Sequence, residues 1–208
     1  IPSVSHSPNS KNHFGIGELT AVVGVSDDGG SSGRLRNEFG IPPPGDIRNC
    51  LVALSQSESM LRRLFQYRFP GQGDLSGHSF GNLFLAALTD ITGDFSHAIR
   101  FCSQILAIHG KIYPLTTENV RLVATCQGGI EIHGESNITR SPLRKERLNL
   151  DPPGCLPLPE TIDALQHADI ITVGPGSLLT SLLPNLLVKR LVSKIRQSKA
   201  VKIYIANI

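Results

Sequence analysis

The stretch that most limits how this chain can fold runs from Ala21 to Asn49. A short apolar strand, Ala21-Val22-Val23-Gly24-Val25, breaks into Ser26-Asp27-Asp28-Gly29-Gly30-Ser31-Ser32-Gly33-Arg34-Leu35-Arg36. Pro42-Pro43-Pro44-Gly45-Asp46-Ile47-Arg48-Asn49 then stops the chain and opens a helix. Two carboxylates at the end of a β-branched strand, followed by three glycines and two serines, make poor core and a good polyanion cradle. The carboxylates can hold a divalent cation, and the glycines let backbone N–H groups approach phosphate oxygens with no Cβ in the way. Arg34 and Arg36 add positive charge beside the turn. The competing reading is an ordinary βα turn with a solvated Asp pair.

With 208 residues and 40% hydrophobic content, the chain can form one large domain with a sizeable core. Its longest apolar stretches fall short of the roughly 20 residues a membrane span needs, and no signal-peptide layout opens it. We therefore expect a cytoplasmic protein with no membrane span. Cys50, Cys102, Cys126 and Cys155 include no C-x-x-C pair and read as reduced thiols. A net charge of +3 suits an anionic small molecule but is too dispersed to argue for nucleic acid. The one concentrated basic run, Arg140 to Arg147, reads as a solvated loop. Aromatics make up only 5% of the chain, which argues against a base-stacking platform. A chain that opens on Ile1 and has Met60 as its only methionine reads as a piece of a longer protein.

Residues 1–17 carry no sustained periodicity and are expected to be a loosely ordered start; residues 18–208 read as a single α/β domain. Thr20 to Ser26 has the character of a buried parallel strand. Asp46 stands as an N-cap or faces a ligand, with Cys50, Leu51 and Leu54 following at helical intervals. Phe80 to Ile91 reads as an apolar helix, and Asp94 caps the next one. Lys111 to Thr116, Val120 to Cys126 and Ile130 to His133 read as strands of an antiparallel insert, with Gln127-Gly128-Gly129 as a tight turn. Gly134 to Pro159, with its prolines, reads as the least structured internal part. Asp169 to Val173 is a further buried strand, turned by Gly174-Pro175-Gly176-Ser177 into a helix near Leu178. Leu186 to Gln197 is read as the next helix and Val201 to Ala206 as the last strand. The alternation indicates a doubly wound, mainly parallel sheet with helices on both faces and a small antiparallel β insert.

In such sheets ligands lie beyond the carboxyl ends of the strands. The Asp27 to Gly33 and Gly174 to Ser177 turns should therefore share one edge; the second reads as a strand-to-helix turn whose N–H groups and helix dipole favour an anion, or as a plain turn. Neither a P-loop nor a complete Rossmann fingerprint is present, which argues for phosphate binding without a nicotinamide cofactor. His78, between Gly77 and Ser79, can donate to a phosphoryl oxygen, act as general acid or simply make a structural hydrogen bond. Asn82 can point to the same side as Ser79. Arg48 and Asn49 are candidate partners for phosphate or for the Asp pair.

Four strings, Asp27 to Arg36, Pro43 to Asn49, Gly77 to Asn82, and Gly174 to Leu178 with Thr180-Ser181, resemble the signatures of the YvcK family. These gluconeogenesis factors are a branch of the CofD-like superfamily of 2-phospho-L-lactate transferases. The likeness runs from about Leu19 to Ile208 and implies a Rossmann-like fold. Members open with a strand and a Gly-Gly-Gly-Thr-Gly turn, which this chain lacks, and continue past Ile208. The YvcK side implies a cytoplasmic regulator that binds UDP-sugars such as UDP-N-acetylglucosamine and is needed for growth and cell shape on gluconeogenic carbon. The CofD side implies transfer of a phospholactyl group from a guanosine diphosphate donor to a deazaflavin, assisted by a divalent metal. The ligand set so implied is Gly29, Gly30, Ser31, Ser32, Gly33, Arg34, Asp46, Arg48, Asn49, His78, Ser79, Asn82, Gly174, Gly176 and Ser177. Asp27 and Asp28 would hold Mg2+, and with His78 they would be catalytic in an enzyme. No flavin or nicotinamide is expected as a bound prosthetic group, and a homodimer is expected.

Overall fold

A computed structural model describes residues 17–56 and 59–206, so the expectation for residues 1–16 lies outside the described residues. The chain runs β1 (Thr20–Val23), α1 (Gly30–Phe39), α2 (Gly45–Leu54), α3 (Ser59–Gln66), α4 (Phe80–Thr92) and α5 (Phe95–Ile105). It continues through β2 (Lys111–Pro114), β3 (Arg121–Cys126), β4 (Glu131–His133), α6 (Glu135–Arg140) and β5 (Lys145–Asp151). It then passes α7 (Pro159–His167), β6 (Ile170–Val173), α8 (Leu183–Leu186) and α9 (Leu191–Gln197) to β7 (Val201–Tyr204). β1 pairs in parallel with β2, and β6 in parallel with β7, while β4, β3 and β5 form an antiparallel sheet in that order. This is an α/β fold with parallel strands, joining helices and an antiparallel insert.

Several local expectations are corrected. Lys111–Pro114 does not belong to the insert: after the helical crossover it pairs with β1 from Thr20↔Lys111 to Val23↔Pro114. A run of alternating residues carries no mark of its partner, and the crossover supplied it. Residues 134–159 are not mainly loop, because they hold α6 and β5. β5 has one strongly buried residue, Leu150, so its polar composition hides a strand stitched along β3. The turn after β6 does lead into helix at Leu178, as expected, but its first stretch, Leu178–Leu182, is π-helical before α8. The helix read from Leu186 to Gln197 is broken at Arg190, whose φ of 69° places it in the left-handed region.

The core gathers Val23 and Val25 from β1 and its exit, Ile47 and Leu51 from α2, Leu85 from α4, Ile99 from α5 and Leu122 from β3. Each such side chain contributes about 1.5–3 kcal/mol by leaving water. Phe65 of α3 meets Phe80 and Phe84 of α4 edge-on, with ring centroids 6.0 and 5.4 Å apart. That cluster fixes the start of α4, where His78, Ser79 and Asn82 lie. Asp94 caps α5 as expected, accepting from the His97 amide at 2.6 Å. Cys102, Cys126 and Cys155 are buried free thiols, and burial pushes Cys102 up to about 12. Among the described residues, no helix is long and apolar enough to cross a membrane.

Candidate functional site

Beyond Val23 the chain crosses the carboxyl end of β1 and winds into α1. Asp27 Oδ1 accepts the Gly29 N–H at 2.9 Å and closes the turn. Gly33 N donates to Gly29 O at 3.1 Å, the first helical bond. The amides of Gly30, Ser31 and Ser32 thus fall in the first turn, where a helix has no carbonyls of its own to offer them. No side chain caps this end and no acidic residue sits in its first turn, so its positive dipole end is left for an anion.

The side chains of this turn face inward. Ser31, Ser32 and Arg36 are all buried, so Ser31 and Ser32 offer an outside ligand backbone rather than hydroxyl. Arg36 is a buried anchor beside the turn: it donates to Asn119 Oδ1 at 2.5 Å and to the Val120 carbonyl. Burial and Arg121 pull its pKa down to about 10, opposed by Asp28 and Asp27, which leaves it a cation behind the carboxylates. Arg34 is exposed and reaches the carbonyl of Ser76 at 2.6 Å, strapping the 71–77 loop to α1.

α2 brings up the second string. Its N-cap is Pro44, so Asp46 lies inside the first turn and caps nothing, a correction to one of its two readings. The start of α2 packs so closely on α1 that a Cβ at Gly45 would stand 2.3 Å from Ser32 Oγ and 3.2 Å from Asp27 Oδ2. Asp46 keeps an exposed side chain, yet the desolvation of its packed surroundings and the charge of Asp27 hold it above the usual carboxylate range, against Arg48 and a hydrogen bond from Asn49. Arg48, 7% exposed, donates to Asn49 Oδ1 at 2.7 Å, and its Nε is a buried donor without a protein partner among the described residues.

The third string joins the first through Ser31. Ser31 Oγ lies 3.0 Å from His78 Nδ1 and accepts from Asn82 Nδ2 at 3.1 Å. Ser79 Oγ donates to Phe65 O at 3.2 Å, tying the entry of α4 to α3. Burial and Arg34 pull His78 below the usual imidazole value, against Glu38.

Sequence reasoning missed Glu135. It begins α6, and the insert is latched to the cradle by Asp28 Oδ1, which accepts the Ser136 amide at 2.9 Å. Gly134 makes the latch possible: its φ is 91°, and a Cβ there would lie 1.9 Å from Asp28 Oδ2. Glu135 is pushed up to about 7, first by burial and then by Asp27 and Asp46, while a hydrogen bond with Thr180 opposes this. Thr180 Oγ1 also lies 3.0 Å from Ser177 Oγ, so Glu135 is hydrogen-bonded toward the Gly174 to Ser177 turn and feels the charge of the Asp27 turn. The only sequence cue was a glycine preceding an acidic residue in a segment that reads as loop.

The sign of the Glu135 contribution is set by its raised pKa. The folded chain holds this proton more tightly than the unfolded one, whose value is 4.5, so the resulting stability is complete below that pH and is lost as pH rises through about 7. Glu135→Gln should match the parent near pH 4. At pH 8 it should be more stable by roughly 1–2 kcal/mol, allowing for solvent screening of a half-buried group. Urea melts at both pH values check this, and a pH-independent difference would contradict it.

Asp27, Asp28 and Asp46 thus lie near enough to Glu135 to raise the cost of its charge, beside the open N-terminus of α1. Each Asp of the 27–28 pair commits one oxygen to a backbone N–H. Among the described residues, no three His, Cys, Asp or Glu side chains are placed to hold a metal ion by themselves. A magnesium ion needs only one or two carboxylates when ligand phosphates complete its shell, so the donor set fits a metal shared with a bound diphosphate. The class so defined is an α/β protein whose strand-end turns converge on an anion-directed, carboxylate-lined edge.

A family profile described as 2-phospho-L-lactate transferase CofD matches residues 7–208. The gluconeogenesis factor of Bacillus subtilis is 52% identical over 191 residues, covering 92% of this chain and 60% of that protein. The gluconeogenesis factor of Halalkalibacterium halodurans is 50% identical over 190 residues, covering 91% and 59%. A crystal structure of a UPF0052-family protein from Bacillus halodurans superposes with a TM-score of 0.89 at 50% identity, covering 92% of this chain and 61% of that one. The chain belongs to the CofD-like family, in its YvcK branch of gluconeogenesis factors. It spans about 60% of the length of these relatives.

Proposed function

We propose that this chain carries the diphosphate-binding part of a nucleotide-sugar-binding regulator, with a UDP-sugar as ligand. The observation that carries the reading is the uncapped N-terminus of α1, with three amides in its first turn, beside the carboxylates of the β1–α1 turn and near those of α2 and α6. The amides would hold a phosphate, Asp27 and Asp28 would hold a magnesium ion that neutralises diphosphate charge, and buried Arg36 offsets part of the carboxylate charge. Arg48, Asn49 and His78 supply the polar groups beyond it, while the fully buried Ser79 and Asn82 support them from behind through Phe65 O and Ser31 Oγ. Gly174, Gly176 and Ser177 close the site from the β6 side. The regulator role in growth and cell shape on gluconeogenic carbon follows the branch to which the chain belongs.

The family description favours one rival, a phospholactyl transferase with a guanosine diphosphate donor, a deazaflavin acceptor and His78 as general acid. Calorimetric titration with UDP-N-acetylglucosamine and with GDP, each with and without magnesium, separates them. The regulator reading expects UDP-N-acetylglucosamine binding with no product, weakened at least tenfold by Asp27→Asn with Asp28→Asn. That loss corresponds to about 1.4 kcal/mol. Magnesium-dependent preference for GDP would favour the transferase, and binding of neither ligand would overturn the cradle itself.

A further inference from the structure

Ser31 Oγ is a buried crossing point of hydrogen bonds. It accepts from Asn82 Nδ2 at 3.1 Å and from the Ser79 amide at 3.4 Å, and it lies 3.0 Å from His78 Nδ1. A hydroxyl has one proton and two lone pairs. With both lone pairs occupied, the Ser31 proton goes to Nδ1, which must then be the bare nitrogen of the ring. Ser31 is 4% exposed, His78 6% and Asn82 1%, so water has little room to substitute for any member.

We propose that Ser31 and Asn82 are positioning residues that hold His78 as the neutral tautomer carrying its proton on Nε2. The ring is then a fixed hydrogen-bond donor, not a cation and not a base at that nitrogen. Protonating Nδ1 would set two donors against each other across Ser31, so the same network resists ring charging. Arg34 resists it too from α1, and Glu38, on the same helix, acts in the opposite sense. For a ligand, this means recognition of an acceptor oxygen, phosphoryl or sugar, by a neutral N–H whose state does not change across neutral pH. This last consequence rests on the nucleotide-sugar reading above; the tautomer does not. Turning the Asn82 amide over would let Oδ1 take the Ser31 proton and put the ring proton on Nδ1, so the two arrangements differ in a directly measurable way.

The test is long-range proton–nitrogen NMR of the histidine ring nitrogens in the uniformly nitrogen-15-labelled protein, with His78 assigned by its loss in His78→Gln. The expected result is a protonated Nε2 and a bare Nδ1, unchanged between pH 8 and pH 6. In Ser31→Ala the single tautomer should give way to a mixture that titrates at higher pH. An Nδ1–H ring in the parent protein overturns the proposal whether or not the variant folds, and so does a Ser31→Ala ring identical to the parent. UDP-N-acetylglucosamine titration is read separately. His78→Gln, which retains an N–H near the Nε2 position, should bind within about threefold of the parent, and His78→Ala about tenfold more weakly. Equal binding by all three with the tautomer intact would count against His78 as a ligand contact and leave its positioning by Ser31 standing.

Discussion

Gly33→Ala is expected to destabilise the protein by about 3 kcal/mol and to abolish nucleotide-sugar binding, although alanine is the better helix former by about 1 kcal/mol. An added Cβ would stand 2.0 Å from Asp28 O and 2.7 Å from Asp28 C, both backbone atoms of the carboxylate turn. Relief requires α1 to retreat from that turn, which separates the helix amides from Asp27 and Asp28. Gly30→Ala is the control. Its φ of 46° is unfavourable for alanine, but its Cβ would meet nothing within 4 Å, so a loss of about 1 kcal/mol is expected. Urea unfolding and calorimetry of both variants decide the matter. Equal effects at the two positions would mean that α1 does not pack on the Asp28 carbonyl.

Arg36→Ala should cost about 3–5 kcal/mol, the range for breaking a buried charge network from one side. Arg36 is 1% exposed and holds Asn119 and the Val120 carbonyl between α1 and the start of β3. Its loss leaves those acceptors unsatisfied, opens a cavity and removes a cation near Asp27 and Asp28. Arg36→Lys should recover little, because one ammonium cannot reproduce the guanidinium fork. A loss below about 1 kcal/mol in urea unfolding would show that the charge is not holding the cradle to the insert.

Much of this site was legible because its pieces are local. Asp27 to Gly33 reads as a glycine-rich, anion-directed turn from residue types alone, and the structure gives that turn but winds its second half into the start of α1, a helix the glycines and serines concealed. Asp94 before α5 was equally readable, since a cap needs only its own next three residues. What failed was long-range. Arg36 reads as charge beside the turn, and its burial against Asn119 and the Val120 carbonyl comes from residues far along the chain; Asp46 reads as an N-cap or a ligand-facing group, and Pro44 at the N-cap removes the first. Glu135 stands 108 residues from Asp27, and no periodicity within α6 or its flanks announces that this short helix docks on a turn so distant.

By itself, then, the sequence determined the α/β alternation, the glycine-rich turn after β1 and the chemistry available there, because backbone preference and capping act over a few residues. Only the tertiary structure decided which strands pair, that the antiparallel insert delivers a fourth carboxylate, and that Ser31 serves His78 rather than solvent. Those outcomes depend on which surfaces bury one another, and burial is what turns an ordinary serine, arginine or glutamate into a group with one partner and one charge state.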